Sequence, residues 1–415
     1  MKTHNNRFSI FFVGAGTGGH VLTAISVYKA LVKVKPSLKS KILFVGSINL
    51  RKGMENLPSL EEKICKEQKI NFAKIRTGKV QRFFTLRTIR LFLQIFLGFW
   101  DAFWLVLKNR PKVVFATGGY VTPPILFWAK VFGAKTFLHE QTVAPGLASK
   151  VSSSWADKVL ISFEQSKKHF NKKLQNKIVY TGYPVQREIF NVKSFEDLVK
   201  LLKRKKVLNS YDQDFLDNLK LLENAKLKFN KPVLFVTGGS IGAHAINKVI
   251  YENLDNLLKY FIVFIQTGDS ALYKDYEKFL NYSKRLRKNK ILIVRKFLAE
   301  SFGYVLEHAD FVIARSGAGT VYQLGMLKKK AILIPLPTAS NNEQYKNALL
   351  LKQLGLAEVI LQENWLKIKN LASFIKEQEQ KLKLKKVNIK RLENLFPINA
   401  DEKIAKILLK AYESL

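Results

Sequence analysis

The chain has 415 residues, enough for two ordinary domains with a sizeable core. Its single cysteine, Cys65, excludes an intramolecular disulfide and a thiolate metal cluster, which makes a reducing compartment the default. The excess of 70 Lys and Arg over 32 Asp and Glu, a net +38, implies attraction to something anionic: nucleic acid, a phospholipid surface or a phosphate-bearing substrate.

The first predicted element is a buried strand, "FSIFFV" at 8–13. Its run is short and passes straight into "GAGTGGHV" (14–21), unlike a signal peptide with a cleavage site, so a cytoplasmic protein is expected. "LTAISVYKALVKV" then has helical spacing, which puts Gly14, Gly16, Gly18 and Gly19 at a strand-to-helix turn with His20 directly after it.

"KILFVG" (41–46) reads as the next strand. Residues 86–107, "LRTIRLFLQIFLGFWDAFWLVL", carry an apolar run interrupted by Gln94 and Asp101. A charge near the centre opposes a bilayer span. Two other readings stand open: an amphipathic helix packed on its own domain, or a helix whose aromatic face, including Trp100 and Trp104, enters a membrane interface beside Lys79, Arg82, Phe83 and Phe84.

Strands at 112–119, 135–140, 158–162 and 178–182 continue an alternation with helical stretches that argues for βαβ units and a parallel sheet. "GYPVQREIF" (182–190) reads as a domain linker, and the Lys-rich 193–231 segment as a largely solvated helical insertion. A second series opens as the first did, with "KPVLFVTGGSIGAHAINKVI" at 231–250 and further segments at 260–268, 290–294, 310–320 ("DFVIARSGAGT") and 330–337. "NADEKIAKILLKAYESL" (399–415) reads as a capped amphipathic helix. The expected fold class is α/β: two Rossmann-like, doubly wound parallel-sheet domains facing one another across a cleft.

Four glycine-rich loops follow strands: "GAGTGGH", "ATGGYVTPP" (116–124), "TGGSIGAH" (237–244) and "RSGAGTVYQ" (315–323). A helix starting at such a turn points unpaired N–H groups and a positive dipole end at an anion, so phosphate is the expected guest. "GAGTGG" also fits a dinucleotide fingerprint. The acidic residue expected about 20 positions later is missing, however, because 33–41 reads "KVKPSLKSK". No zinc spacing, RNA-binding aromatic signature or helix-turn-helix stands out, so nucleic acid is not an expected partner. No Asp-x-Asp pair sits at a strand end, so no metal or other cofactor is expected.

Taken in order, "GTGGHV", "TGGYVTPP", "FLHEQTVAPGLASK", "TGYPV", "GGSIGA", "RSGAGT" and "EQYKNA" resemble the N-acetylglucosaminyltransferases of peptidoglycan synthesis, the MurG family, over nearly the whole chain outside 193–231. Each motif alone is modest, whereas the ordered set is specific. The resemblance implies the glycosyltransferase-B (GT-B) fold, UDP-N-acetylglucosamine (UDP-GlcNAc) as donor and lipid I (undecaprenyl-pyrophosphoryl-MurNAc-pentapeptide) as acceptor. It implies an acceptor and membrane domain at 1–184, a donor domain at 185–396, and a helix at 397–415 returning to the first domain. A peripheral place on the cytoplasmic face of an anionic membrane, among other cell-wall synthesis proteins, goes with it. Runner-up readings are a related transferase with another lipid-linked acceptor, or a basic membrane- or nucleic-acid-binding protein without catalysis.

By the same resemblance, Ser240 meets the UDP phosphates and Phe297 and Leu298 wrap the uracil. Ala318, Gly319, Thr320 and Gln323 lie over phosphates and ribose, while Glu343 and Gln344 read the sugar hydroxyls. Thr17, Gly18, Gly19 and His20 form the acceptor turn. The chain departs from the family at three places: Gln323 stands where Glu is usual, Thr142 where Asn is usual, and Gln186 directly after "PV" where Arg is usual, with Arg187 one place later. His20 is the best-placed base, with a phosphate or acceptor contact and a helix-start role as its other readings. Glu140 is the alternative base or a partner of bound substrate, and His139 is expected to face the same cleft. Arg315 or Arg187 would supply fixed positive potential. His244 reads as a satisfied surface or cap residue.

Overall fold

The computed structural model describes residues 8–16, 18–48, 58–77, 86–239, 242–270, 272–286 and 290–415. Thr17, Lys79, Arg82, Phe83, Phe84 and Ser240 lie outside the described residues. The chain divides into two compact units, one of Met1–Val185 with Pro397–Leu415 and one of Gln186–Phe396.

The first unit holds seven strands: β1 (Ile10–Val13), β2 (Ile42–Ser47), β3 (Asn71–Ile75), β4 (Val113–Ala116), β5 (Lys135–Glu140), β6 (Lys158–Ile161) and β7 (Ile178–Tyr180). They pair in the order β3-β2-β1-β4-β5-β6-β7, and every pairing is parallel. Both faces are covered, which is why the central strands read as unbroken apolar runs. Side chains alternate along β1, so Ile10 and Phe12 enter one core cluster and Phe11 and Val13 the other.

The second unit repeats the plan with β8 (Val233–Thr237), β9 (Ile262–Gln266), β10 (Leu292–Arg295), β11 (Phe311–Ala314), β12 (Ala331–Leu333) and β13 (Ala357–Val359). Their order is β10-β9-β8-β11-β12-β13, again all parallel. In each sheet the order reverses once, at β1/β4 and at β8/β11, and such reversal points are where ligands bind beyond the carboxyl ends of strands. All four glycine-rich loops leave these four strands.

The 193–231 segment is not a solvated insertion. Helices Phe195–Arg204 and Gln213–Phe229 bury Leu198, Leu201 and Leu202 and then Phe215, Leu219 and Leu222, a helical stripe diluted by surrounding lysines. Phe215 packs on Phe264 of β9 and lies under the Arg295 guanidinium at 3.7 Å, while the Tyr304 hydroxyl donates to the Leu219 carbonyl at 3.0 Å. The segment therefore covers one face of the second sheet.

The last helix, Ala400–Glu413, joins the first unit by burying Ile404, Ala405 and Leu408 in the cluster that holds Val21, Ile25 and Leu31 of helix Gly18–Val34. Lys403 Nζ donates to the Tyr180 carbonyl at 2.6 Å, and Lys35 pairs with Glu413 at 2.6 Å. The expected cap is absent: the Asn399 side chain makes no capping bond. Asp401 and Glu402 in the first turn complement the dipole instead.

Helix Leu86–Asn109 buries Ala102 and Val106 and seats Gly98 against Arg76 and Thr77, where an added Cβ would fall 2.8 Å from the Arg76 carbonyl. The mid-helix charge is neutralised, because Asp101 accepts from the Arg76 backbone N–H at 2.8 Å and from its guanidinium at 2.9 and 2.7 Å. Phe103 packs inward on Trp128 with centroids 4.9 Å apart, whereas Phe96, Trp100 and Trp104 are more than half exposed. Among the described residues, no helix is long and apolar enough to cross a membrane.

Candidate functional site

In the first unit two turns meet at the β1/β4 reversal. Gly18 and Gly19 are the first residues of helix Gly18–Val34, and His20 is the third, so their N–H groups are among those a helix start leaves without intrahelical partners. The turns are locked together by glycine. A Cβ at Gly14 would fall 2.5 Å from Thr117 Oγ1, at Gly119 2.4 Å from the Ala15 carbonyl, and at Gly118 (φ +102°) 2.8 Å from His20 Cε1. These glycines therefore serve turn-to-turn packing as well as any anion.

His20 Nδ1 lies 2.6 Å from the Thr117 carbonyl, which also accepts from Gln141 Nε2 at 2.8 Å. A carbonyl cannot donate, so the proton of the neutral ring sits on Nδ1 and the lone pair on Nε2. Burial lowers the His20 pKa from its ordinary value, opposed by the Glu140 charge and by hydrogen bonds to Thr117 and Gln141. The result is a neutral imidazole at pH 7 with one basic nitrogen.

Glu140 ends β5 and is buried. One of its oxygens accepts from the Thr142 N–H at 2.8 Å and lies 2.8 Å from the Thr142 hydroxyl, which is equally close to the Ala144 carbonyl. Glu140 and Thr142 thus form a local structure whose charge acts on His20. The structure corrects the reading of His139. Strand alternation sends it to the other face of β5, where it is fully buried, 3.2 Å from the Gly182 carbonyl and 3.3 Å from Ser162 Oγ through Nε2. Burial pushes its pKa down to about 4, and its Nδ1 has no partner among the described residues.

In the second unit two glycines beyond β8 are fixed by their backbone conformation. Gly239 and Gly242 take φ +82°, and a Cβ at Gly242 would fall 2.1 Å from the Thr267 carbonyl. Helix His244–Glu252 follows, with His244 Nδ1 bonded to Asp275 at 2.9 Å and its ring stacked on Tyr273 at 3.7 Å, so His244 is satisfied as expected. After β11, Ala318, Gly319 and Thr320 open helix Ala318–Met326, and half-buried Gln323 lies on the same helix. Ala318–Thr320 present the open N–H groups of that helix.

Arg315 is buried and turned to carbonyls, with Nη1 donating to Ile334 and Pro335 at 3.1 and 3.2 Å and Nη2 to Gln362 Oε1 at 2.6 Å. Burial lowers its pKa to about 10. Gln344 accepts the Leu336 N–H at 3.0 Å through Oε1, which leaves its amide nitrogen to donate. Glu343 starts helix Glu343–Gln353 directly after Asn341 and Asn342, both left-handed at φ 52°. Phe297 is exposed, but the Leu298 side chain is core. Gln186 and Arg187 open the second unit, where helix Arg187–Phe190 packs so closely on Gly303 that a Cβ there would meet the Ile189 carbonyl at 2.1 Å. Sequence reasoning did not single out Thr117, Gly118 or Gln141 as the residues that set the His20 tautomer.

Two parallel-sheet α/β units on one chain, each with glycine-led helix starts at its reversal point, are the GT-B class of glycosyltransferase fold. Residues 10–161 match the glycosyltransferase family 28 N-terminal domain and 233–402 the family 28 C-terminal domain. The chain belongs to glycosyltransferase family 28. It is 30% identical over 410 residues, 98% of each chain, to a Borreliella afzelii protein named UDP-N-acetylglucosamine–N-acetylmuramyl-(pentapeptide) pyrophosphoryl-undecaprenol N-acetylglucosamine transferase. The crystal structure of Acinetobacter baumannii MurG shares the fold at TM-score 0.63 and 21% identity, covering 97% of this chain and 99% of that one. A Neisseria meningitidis UDP-GlcNAc 2-epimerase bound to UDP-GlcNAc does so at TM-score 0.57 and 15% identity, covering 97% and 100%.

The depressed pKa of His139 gives a signed prediction. Between its unfolded value of about 6.5 and its folded value of about 4, the unfolded chain binds a proton that the native chain does not. Stability present above pH 6.5 is therefore lost as pH falls through that window. In His139→Gln the drop in Tm between pH 7.5 and pH 5 should be smaller than in the parent, and an equal drop would refute the assignment.

Proposed function

We propose that this chain transfers GlcNAc from UDP-GlcNAc to lipid I with inversion, giving lipid II. The observation that carries the reading is the end-to-end match, at 30% identity over 98% of both chains, to a relative named as that transferase. The likeness to a UDP-GlcNAc-bound epimerase supports the donor class at the level of fold.

A hydroxyl of the acceptor attacks the anomeric carbon, its proton passes to His20 Nε2, and the sugar–phosphate bond breaks with its electron pair leaving on UDP. One displacement inverts the carbon. The His20 tautomer supports its role as base, and Glu140 stabilises the imidazolium that forms. The acceptor diphosphate lies at Gly18 and Gly19, with Thr142 holding Glu140 in place. Charge growing on UDP meets the N–H groups of Ala318, Gly319 and Thr320, a positive end that acts without a metal. Gln323 faces the ribose, Glu343 and the Gln344 amide nitrogen face the sugar, Phe297 and the Leu298 backbone border the base, and Gln186 and Arg187 lie at the donor's edge. The exposed Phe96, Trp100 and Trp104 rest on an anionic membrane at its cytoplasmic face, supported by the +38 charge. Other cell-wall synthesis proteins are then natural neighbours.

Purified protein incubated with labelled UDP-GlcNAc and a short-chain lipid I analogue should form labelled lipid II. No transfer where a control enzyme works would overturn the reading. His20→Ala should lower kcat roughly 100-fold or more, and the acid limb of the parent's pH profile should lie below pH ~6.5, since a base with a lowered pKa stays neutral further into acid. Gln323→Glu should lower the KM for UDP-GlcNAc roughly five- to tenfold, because a carboxylate accepts more strongly from ribose hydroxyls than an amide does. An unchanged KM would remove the ribose assignment.

A further inference from the structure

Glu61 is a buried carboxylate that the transfer chemistry does not use. It sits in the first turn of helix Leu60–Glu67, and Gly46 of β2 makes room for it, since a Cβ there would fall 2.6 Å from Glu61 Cγ. One Glu61 oxygen accepts from both the Ser47 N–H, at 3.1 Å, and the Ser47 hydroxyl, at 3.0 Å. Ser47 Oγ is also 2.9 Å from the Tyr120 hydroxyl. Serine has one hydroxyl proton, and it is committed to Glu61, so the Tyr120 O–H must donate to Ser47. The direction of the whole chain is set from its buried end.

Tyr120 belongs to the turn after β4, and its ring edge is what a side chain at Gly16, in the turn after β1, would meet first. A Cβ at Gly16, which takes φ +91°, would lie 3.1 Å from Tyr120 Cε1. We infer that Glu61 and Ser47 are positioning residues for the transferase: through the Tyr120 hydroxyl they hold that ring against Gly16 and so set the shape of the turn that receives the acceptor diphosphate. The inference rests on the reading that the first unit binds a lipid-linked diphosphate. Ser47 and Glu61 are themselves buried and act through Tyr120.

The test compares Ser47→Ala, Tyr120→Phe, Glu61→Leu, Glu61→Gln and the double variant S47A/Y120F in the full chain, with Tm measured for each. S47A and Y120F, both close in shape to the parent, should raise the KM for the lipid I analogue roughly three- to tenfold, the factor one neutral hydrogen bond is worth, and leave the KM for UDP-GlcNAc unchanged. The double variant should equal either single one because both break the same link. E61L should match them, and E61Q, whose amide oxygen can still accept, should restore the parent KM. Unchanged acceptor KM in Y120F, multiplying effects in the double variant, or equal changes in both KM values would overturn the inference. Should the parent fail to turn over lipid I, the proposed function falls, and hydrogen exchange at Gly14, Ala15 and Gly16 decides the positioning claim. Exchange faster by the same factor in S47A and Y120F supports it, and unchanged exchange contradicts it.

Discussion

The Thr117 carbonyl is the contact that ties the first unit's two turns together. It closes β4, accepts from Gln141, and lies 2.6 Å from His20 Nδ1, which joins the two turns at the sheet's reversal and decides which imidazole nitrogen is basic. A main-chain oxygen is a stable reference for this purpose, because it cannot titrate, rotate or donate. The glycines around it let the two backbones come close enough for the bond to form: a side chain at Gly118 would strike the ring itself, and one at Gly14 would strike Thr117. Glycine richness here reflects mutual packing of turns first, with anion access as a consequence of the same bare backbone.

The second unit uses the same architecture for a different end. Its reversal point also joins two glycine-led turns, but the histidine following the first of them is bound to Asp275 and stacked on Tyr273. Its buried arginine is spent on carbonyls of the β12 exit, and this is a structural use of a cation. What the unit offers outward is the opening of helix Ala318–Met326.

Most of the fold was legible because parallel strands buried on both faces announce themselves as apolar runs ending in glycine. Strands β3 and β13 were not, since Asn71–Ile75 carries polar residues to solvent and Ala357–Val359 is only three residues long with Glu358 at its centre. The 193–231 helices hide for a related reason: Leu198, Leu201 and Leu202 form a clear stripe, yet the many lysines around it give the segment the look of a solvated one. Of the candidate site, His20 was named from its place in the turn after β1 and Glu140 from the end of β5, and the structure sets the Glu140 charge to act on the His20 ring. The same rule placed His139 wrongly, because one residue along a strand reverses the face. The tautomer of His20 was not legible at all, since the atom that sets it belongs to residue 117 and to the backbone, where the side-chain alphabet carries no information.

The most direct measurement of the central claim is the 15N spectrum of ring-labelled histidine in the intact protein, with His20 assigned by its loss in a His20→Gln variant. At pH 7 a neutral ring with its hydrogen on Nδ1 and none on Nε2 is the expected signature. A ring carrying its hydrogen on Nε2, or a fully protonated one, would contradict the tautomer that the Thr117 carbonyl imposes.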